Sequence, residues 1–364
     1  MPGPHNALTD VAGIEVGYTT LVRGEGPLRT GAGPVRTGVT AILPRGRDGV
    51  GVSCAAGWSS LNGNGEMTGT TWIEESGALS MPLLITNTHS VGPVHAGAVR
   101  WIVEHHPGLA RQWLLPVVAE TWDGYLNDIN GGHVTAEHTI AAIEAARAGP
   151  IAEGAVGGGT GMTCYGFKGG SGTASRRVAF GDRHHTVAVF VQANFGSRRE
   201  LTIAGVPVGR ALADDNPEED SGWLAPPGAG SVIAVVATDA PLLPGQCKAL
   251  TRRVPLGLAR TGTTGSHFSG DIFLAFSTAN PGALDSVLPG GDADGGYATL
   301  QFVAWAAMDG LYAAVVQATE EAVLNALVAA GTMVGVDGRR SPALPIGRVG
   351  ELLGSVLAPP PPAA

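Results

Sequence analysis

Lysine is almost missing from this 364-residue chain. Only Lys168 and Lys248 occur, and 22 basic side chains stand against 31 acidic ones for a formal charge of -9. No basic stripe is left to neutralise a phosphate backbone, which excludes nucleic-acid binding. Charged residues of both signs together reach only 15%, against about 25% in ordinary soluble domains. Much of the surface is therefore expected to meet protein instead of water, as in a homo-oligomer. Long hydrophobic runs are absent too: Val232 to Ala237 is among the longest, far short of the about 18 residues of a membrane helix. The start, Met1-Pro-Gly-Pro-His-Asn, has no basic segment followed by an apolar one, so no membrane partner and a cytoplasmic location are expected. Cys54, Cys164 and Cys247 are odd in number and form no CxxC pair. They read as small buried hydrophobes in a reducing compartment.

What is present is glycine, 56 residues, with 25 prolines and 44% hydrophobic residues. That composition belongs to a folded chain, long enough for one large domain or two modest ones. Val39 to Leu43, Val50 to Ala55 and Leu83 to Thr86 are apolar or β-branched runs bounded by Gly and Pro, and predict buried strands that share a sheet. Further strands are expected at Thr186 to Asn194, Val232 to Thr238 and Ile272 to Ser277. Helical spacing of Val94, Ala98, Trp101 and Ile102 predicts a helix ending before Pro107. A second is expected over Thr135 to Arg147 with Thr135 as N-cap, a third over Leu242 to Leu258, and a long Ala-rich stretch over Tyr297 to Ala330 divided at Gly310. This order is no strict βαβα alternation and predicts an α+β fold with largely antiparallel sheets. Residues 213–230 crowd acidic residues, Pro and Gly into an exposed linker, and residues 357–364 form a Pro-rich disordered tail.

Several motifs fail on inspection. In Gly157 to Lys168 a Phe separates Gly166 from Lys168 and no Ser or Thr follows the lysine, so the phosphate-loop pattern is broken, and Met162 ends the GxGxxG spacing. A tight loop lining a pocket is the better reading. His133, Glu137 and His138 form no HExxH and read as helix surface, and the doublets His105-His106 and His184-His185 have no carboxylate or Cys at ligand spacing. Neither a metal nor a cofactor is expected.

Four features remain. No Ser-His-Asp pattern or GxSxG elbow is visible, so a serine nucleophile needs another base. If the bond before Ser231 were cut, the new α-amino group, with a pKa near about 8, would sit on the same residue as the hydroxyl and take its proton. Gly230 suits such a cut because it leaves its carbonyl open to the neighbouring hydroxyl. A serine capping a strand after a loop is the simpler reading of the same residues. Ser269 and Asp271 point to one face of an extended chain and together can orient a nucleophile or its amine, although a polar turn closing a strand would look alike. Asn194, at the end of an apolar strand, can donate its amide to an oxyanion, and Glu120 after an apolar run can hold a cation.

Taken with Leu8 to Gly17, Leu61 to Gly69, Ile85 to Gly92, the Gly157 to Gly172 loop, Gln192 to Gly196, Ser231 to Leu243 and Ser269 to Asn280, the chain resembles the L-aminopeptidase D-amidase/D-esterase and β-peptidyl aminopeptidase family, self-processing peptidases of the N-terminal nucleophile type. The resemblance implies a four-layer αββα sandwich of a single domain, cut into an α chain (1–230) and a β chain (231–364) and assembled as a homotetramer. It assigns Ser231 as nucleophile and new N-terminus, Ser269 as the hydroxyl that positions it, Asp271 where the family has a Glu, Asn194 as oxyanion donor and Glu120 as receiver of the substrate's amino group. Trp122 stands where relatives have a Tyr, and its indole implies altered geometry or a pocket-lining role. The implied reaction removes N-terminal residues from short peptides, amides or esters through an acyl-enzyme. Competing readings are a nylon-oligomer type endo-amidase or an ornithine acetyltransferase, both with a Thr nucleophile that Ser231 argues against, and a non-catalytic binding protein that keeps the fold.

Overall fold

Apolar and β-branched runs form the strands, and two sheets collect most of them. The structure, a computed structural model, describes residues 1–221, 228–286 and 297–357. The main elements in the first half are β1 (Glu15–Arg23), β2 (Val35–Leu43), β3 (Cys54–Ser60), α1 (Thr70–Ser76), β4 (Ala78–Leu79), β5 (Leu83–Asn87), α2 (Val91–His105), β6 (Val117–Thr121) and α3 (Ala136–Glu144). There follow β7 (Thr163–Cys164), β8 (Phe167–Lys168), β9 (Gly170–Phe180), β10 (Arg183–Asn194), α4 (Val208–Ala211) and α5 (Pro217–Asp220). The chain closes with β11 (Gly230–Thr238), α6 (Pro244–Thr251), α7 (Val254–Arg260), β12 (Ser269–Ser277), α8 (Asp309–Ala329) and α9 (Ile346–Leu357).

One sheet has the order β1-β2-β5-β6 and the other β4-β3-β12-β11-β10-β9. Neighbours are antiparallel except β5–β6 and β11–β12. The sheets pack face to face through Ile42, Leu83, Ile85 and Val117 on one side and Phe190, Ile233, Val235, Leu274 and Phe276 on the other. Trp101 and Ile102 of α2 and Ile143 of α3 cover the outer face of the smaller sheet at Val39, Ala41 and Val118. Leu250 of α6, Leu258 of α7 and Val315, Ala318 and Ala322 of α8 cover Val189, Val232, Ala234 and Phe273 of the larger. The architecture is the expected four-layer αββα sandwich. Because β11 is covered on both faces, its sequence reads as an unbroken apolar run instead of an alternating one. Its odd-numbered residues Ile233, Val235 and Ala237 face the other sheet and its even-numbered ones face the helices. That parity aims Ser231 between the sheets.

The structure corrects several expectations. Cys54–Ser60 lies in the larger sheet while Val35–Leu43 and Leu83–Asn87 lie in the smaller, so the three early strands do not share one. Residues 50–52 turn, and the strand begins only at Cys54. The expected helix over 242–258 is two, because Pro255 enters at the start of α7. Residues 297–308 contain only a short 3-10 turn, Trp305–Ala307, and Gly310 sits in the first turn of α8 instead of dividing it. His133 lies ahead of α3 and pairs with buried Asp128 at 2.8 Å. In the 213–230 segment Asp214 and Asp215 are exposed as expected, but Asn216 and Glu218 are buried and α5 forms there. Residues 222–227 of that segment and 358–364 of the tail lie outside the described residues. All three cysteines are free and buried, and burial pushes the thiols of Cys54 and Cys164 up to about 11 and about 12. Among the described residues no helix is long and apolar enough to cross a membrane.

Helix α8 approaches β9 so closely that a Cβ at Gly172 would lie 2.0 Å from the Ala322 carbonyl oxygen. Gly172→Ala should therefore lower the thermal midpoint by several degrees, an overpacking cost of about 1–3 kcal/mol or more. Gly245→Ala, in open space on α6, should leave it level or slightly raised. Differential scanning fluorimetry of both variants reads the contrast, and a tolerated Gly172→Ala would contradict the packing described.

Candidate active site

Ser231 is the second residue of β11 and is held between two strands by register. It pairs with Asn194 on β10, while Gly230 pairs with Ser269 and Val232 with Asp271 on β12. The glycine is required by packing alone, since a Cβ at 230 would stand 2.0 Å from the Asn194 carbonyl oxygen. The Ser231 Oγ accepts a hydrogen bond from the main-chain N–H of Trp122 at 3.1 Å, and the Asn194 Nδ2 stands 3.5 Å from it. Asn194 in turn donates through Nδ2 to the Trp122 carbonyl (2.9 Å) and accepts at Oδ1 from the Thr163 N–H (2.8 Å). Two N–H groups thus converge on one serine oxygen, which is the geometry that stabilises a negative oxygen forming beside it.

A cavity of about 460 Å3 opens over Ser231. Gly230, Asn194, Glu120 and Trp122, all singled out in the sequence, line it, together with Glu66, Thr88, Tyr125, Thr163, Glu218 and Phe268. Glu120 is the penultimate residue of β6 and is 3% exposed. Its carboxyl accepts from the Glu66 N–H at 2.9 Å and from the Thr88 hydroxyl. Burial raises its affinity for a proton, which these two donors oppose. Among the described residues no Lys or Arg pairs with it. A larger cavity of about 670 Å3 is walled by Trp72, Met81, Leu109, Trp113 and Leu284, and among the described residues Asp285 is its one titratable side chain.

Ser269 and Asp271 do not line the Ser231 cavity. Alternation along β12 sends Ile272, Leu274 and Phe276 between the sheets and Phe273 and Ala275 toward the helices, and Ser269 and Asp271 belong to the second set. They flank the main chain of residues 230–232, where the Ser269 hydroxyl donates to Asp271 Oδ1 at 2.5 Å. The shorter carboxylate therefore still reaches its serine. Asn62 donates to Asp271 Oδ2 at 3.3 Å, and the Val232 N–H also favours the anion, yet burial dominates and lifts the carboxyl to about 6.

Thr163, Glu218 and Tyr125 are members of the site that the sequence reading did not single out. Of the Gly157 to Lys168 stretch, Gly157–Gly159 form a buried turn against β2 and β5, and Thr163 alone reaches the cavity. Lys168 ties that stretch together, with Nζ donating to the carbonyls of Met162 (2.6 Å) and Gly169 (2.8 Å), and burial lowers its pKa to about 7. Glu218 was hidden among acidic neighbours typical of a linker. Trp122 contributes through its main chain, which no side-chain comparison with Tyr would have found. Among the described residues no group of three or more His, Cys, Asp or Glu could hold a metal ion.

With this geometry, the chain matches the profile of peptidase family S58 over residues 6–341. It is 50% identical over 353 residues to the β-peptidyl aminopeptidase BapA of Sphingosinicella microcystinivorans, covering 94% of this chain and 86% of that one. The β-peptidyl aminopeptidase BapA of Sphingosinicella xenopeptidilytica is 44% identical over 362 residues, covering 97% and 88%. Among solved structures, the L-aminopeptidase D-Ala-esterase/amidase of Ochrobactrum anthropi superposes with a TM-score of 0.89 at 44% identity, over 98% of this chain and 95% of that one. It is described as a prototype for the serine aminopeptidases and a variant of the Ntn hydrolase fold.

A carboxyl-carbon NMR titration of a Ser231→Ala chain, in which no freed Ser231 amine stands beside the carboxyl, should place the Asp271 inflexion near pH 6. Asn62→Ala in that chain should move it higher, because Asn62 donates to the carboxylate and its removal disfavours the anion. An inflexion near pH 4 in the Ser231→Ala chain would contradict the burial described.

Proposed function

The chain belongs to peptidase family S58, and from that premise we propose that it is a self-processing serine aminopeptidase that cuts at Gly230–Ser231 and then works through Ser231 as an N-terminal nucleophile. The observation that carries this reading is the convergence of the Trp122 N–H and the Asn194 amide on the Ser231 hydroxyl directly after a glycine. In the first reaction the Ser231 Oγ attacks the Gly230 carbonyl, the peptide C–N bond breaks as the ester forms, and water hydrolyses the ester. Residues 1–230 and 231–364 become the α and β chains of one domain. The free amine of Ser231 is then its own base, and Ser269 with Asp271, lying beside the main chain at 230–232, are suited to hold that amine in place.

In the second reaction a substrate places its ammonium on Glu120 and its scissile carbonyl against the Asn194 amide. Ser231 attacks, the amine or alcohol leaves with a proton returned from the Ser231 amine, and water releases the acyl group. Short peptides, amino-acid amides and esters with a free amino group are the substrates this arrangement accommodates, β-peptides among them by analogy with the two named relatives. Self-processing, assembly as a homotetramer and a cytoplasmic location are parts of the same proposal; the 15% of charged residues in the chain supports a homo-oligomer, and the number four rests on the family resemblance. A non-catalytic binding role is disfavoured by the donors aimed at Ser231.

Intact-mass analysis should find two fragments divided after Gly230 in the parent and one full-length chain in Ser231→Ala. Turnover of L-alanyl and β-homoalanyl p-nitroanilides should fall in that variant by at least about a thousandfold, as for loss of a nucleophile. N-acetylation of the substrate should abolish turnover by the parent. Persistence of the cut in Ser231→Ala, or equal rates on the acetylated compound, would overturn the proposal, the second in favour of an endo-amidase.

A further inference from the structure

We propose that Glu218 is a positioning residue for the Asn194 amide, acting through Thr163. The inference rests on the function proposed above and adds a member to its site. The Thr163 hydroxyl donates to Glu218 Oε1 at 3.0 Å, and the N–H of the same Thr163 donates to Asn194 Oδ1 at 2.8 Å. That second bond decides which end of the Asn194 side chain faces Ser231. With Oδ1 occupied by an N–H, Nδ2 is the end left to point at Trp122 O and Ser231 Oγ. Were the amide turned over, an acceptor would face the developing oxyanion.

Thr163 needs outside support to hold that post. It lies in β7, a two-residue strand whose partner is the two-residue β8, and so little ladder pairing fixes it. Lys168 secures the stretch from one side through the Met162 and Gly169 carbonyls. Glu218 secures it from the cavity side. Its own short helix α5 is anchored although it precedes the cleavage site: Glu219 accepts from the Arg198 N–H at 2.7 Å, and the Arg198 guanidinium donates to the Asp215 carbonyl at 2.8 Å. Glu218 is 7% exposed, and burial, opposed by the Thr163 hydrogen bond and Arg198 and helped by Glu219, lifts its carboxyl to about 7. A carboxyl oxygen is available to accept from Thr163 in either protonation state, so an amide of the same shape should serve as well.

The experiment compares Glu218→Ala, Glu218→Gln and Thr163→Val as processed enzymes, each verified by intact mass and thermal midpoint, on L-alanyl and β-homoalanyl p-nitroanilides. Glu218→Ala and Thr163→Val should each lower kcat about tenfold with KM within about twofold of the parent, since the ammonium site at Glu120 is untouched. The double variant should be no slower than either single one, because both remove the same bond, and Glu218→Gln should restore the rate. An unchanged kcat in Glu218→Ala, a KM that rises in step with the loss, or a Glu218→Gln as slow as Glu218→Ala would overturn the inference. If Glu218→Ala fails to fold, Thr163→Val decides: full kcat there overturns it as well. An inactive parent, or an active Ser231→Ala, would instead defeat the proposed function itself.

Discussion

A slip of one residue in β11 between β10 and β12 would turn Ser231 from the space between the sheets to the helix side and move it away from Asn194 and Trp122. The fold prevents that slip twice over. Ile233, Val235 and Ala237 on one face and Val232, Ala234 and Val236 on the other are all fully buried, so both sets are fitted to their layers, and a shift would exchange them. At the strand's start the main chains come too close for side chains. A Cβ at Gly230 would meet the Asn194 carbonyl at 2.0 Å, and one at Gly270 would meet the Asn64 carbonyl at 2.2 Å. The residue before Ser231 is therefore glycine for a packing reason that holds whether or not the bond beside it is ever cut.

Around that fixed strand the polar groups form a connected set with its orientation built in. Each partner is bonded on its far side: Asn194 by Thr163, Thr163 by Glu218, Asp271 by Ser269 and Asn62, Glu120 by Glu66 and Thr88. Such groups need no rearrangement when charge develops near them, and the low dielectric of a buried site strengthens what they do. The cost is visible in the carboxyls of Asp271 and Glu218, which burial lifts to about 6 and about 7. A site that keeps acids under cover in this way trades stability for orientation.

Much of this was legible beforehand. The strands that carry Asn194, Ser231 and Ser269–Asp271 are long apolar runs, and buried strands announce themselves that way. The helix α2 was readable from four apolar positions, all of them buried. β1 and β9 escaped notice because one is largely polar and half-exposed and the other opens on Gly-Ser-Gly-Thr, so neither shows the periodicity that marks a strand. Sheet membership was not readable at all. Val35–Leu43 and Cys54–Ser60 look alike locally, and only long-range pairing separates them. Glu218 failed for a different reason: exposed Asp214 and Asp215 stand close by in the same acidic run, and composition averages over neighbours whose burial is opposite.

Within the proposed function, Glu120 is the residue on which exo-action turns. A carboxyl that is 3% exposed, with two hydrogen-bond donors, no paired Lys or Arg among the described residues, and His89 offset by the like charge of Glu66, is under-compensated, and taking an ion out of water without a paired counter-charge costs several kcal/mol. Carboxylates nearer the surface are met by cations, Asp215 by Arg340 and Glu321 by Arg176, whereas buried Asp123, like Glu120, is met by hydrogen-bond donors, Thr37 and Asn127. Within the proposed function the missing cation arrives with the substrate, as its free ammonium, and the under-compensation becomes affinity for that end of a peptide. An acylated N-terminus brings no charge and would leave Glu120 buried beside an amide, so the same physical shortfall that attracts a free amine rejects an internal peptide bond. The distance from Glu120 to Ser231 across the cavity then becomes the ruler that limits how much chain can lie between the amine and the bond to be cut.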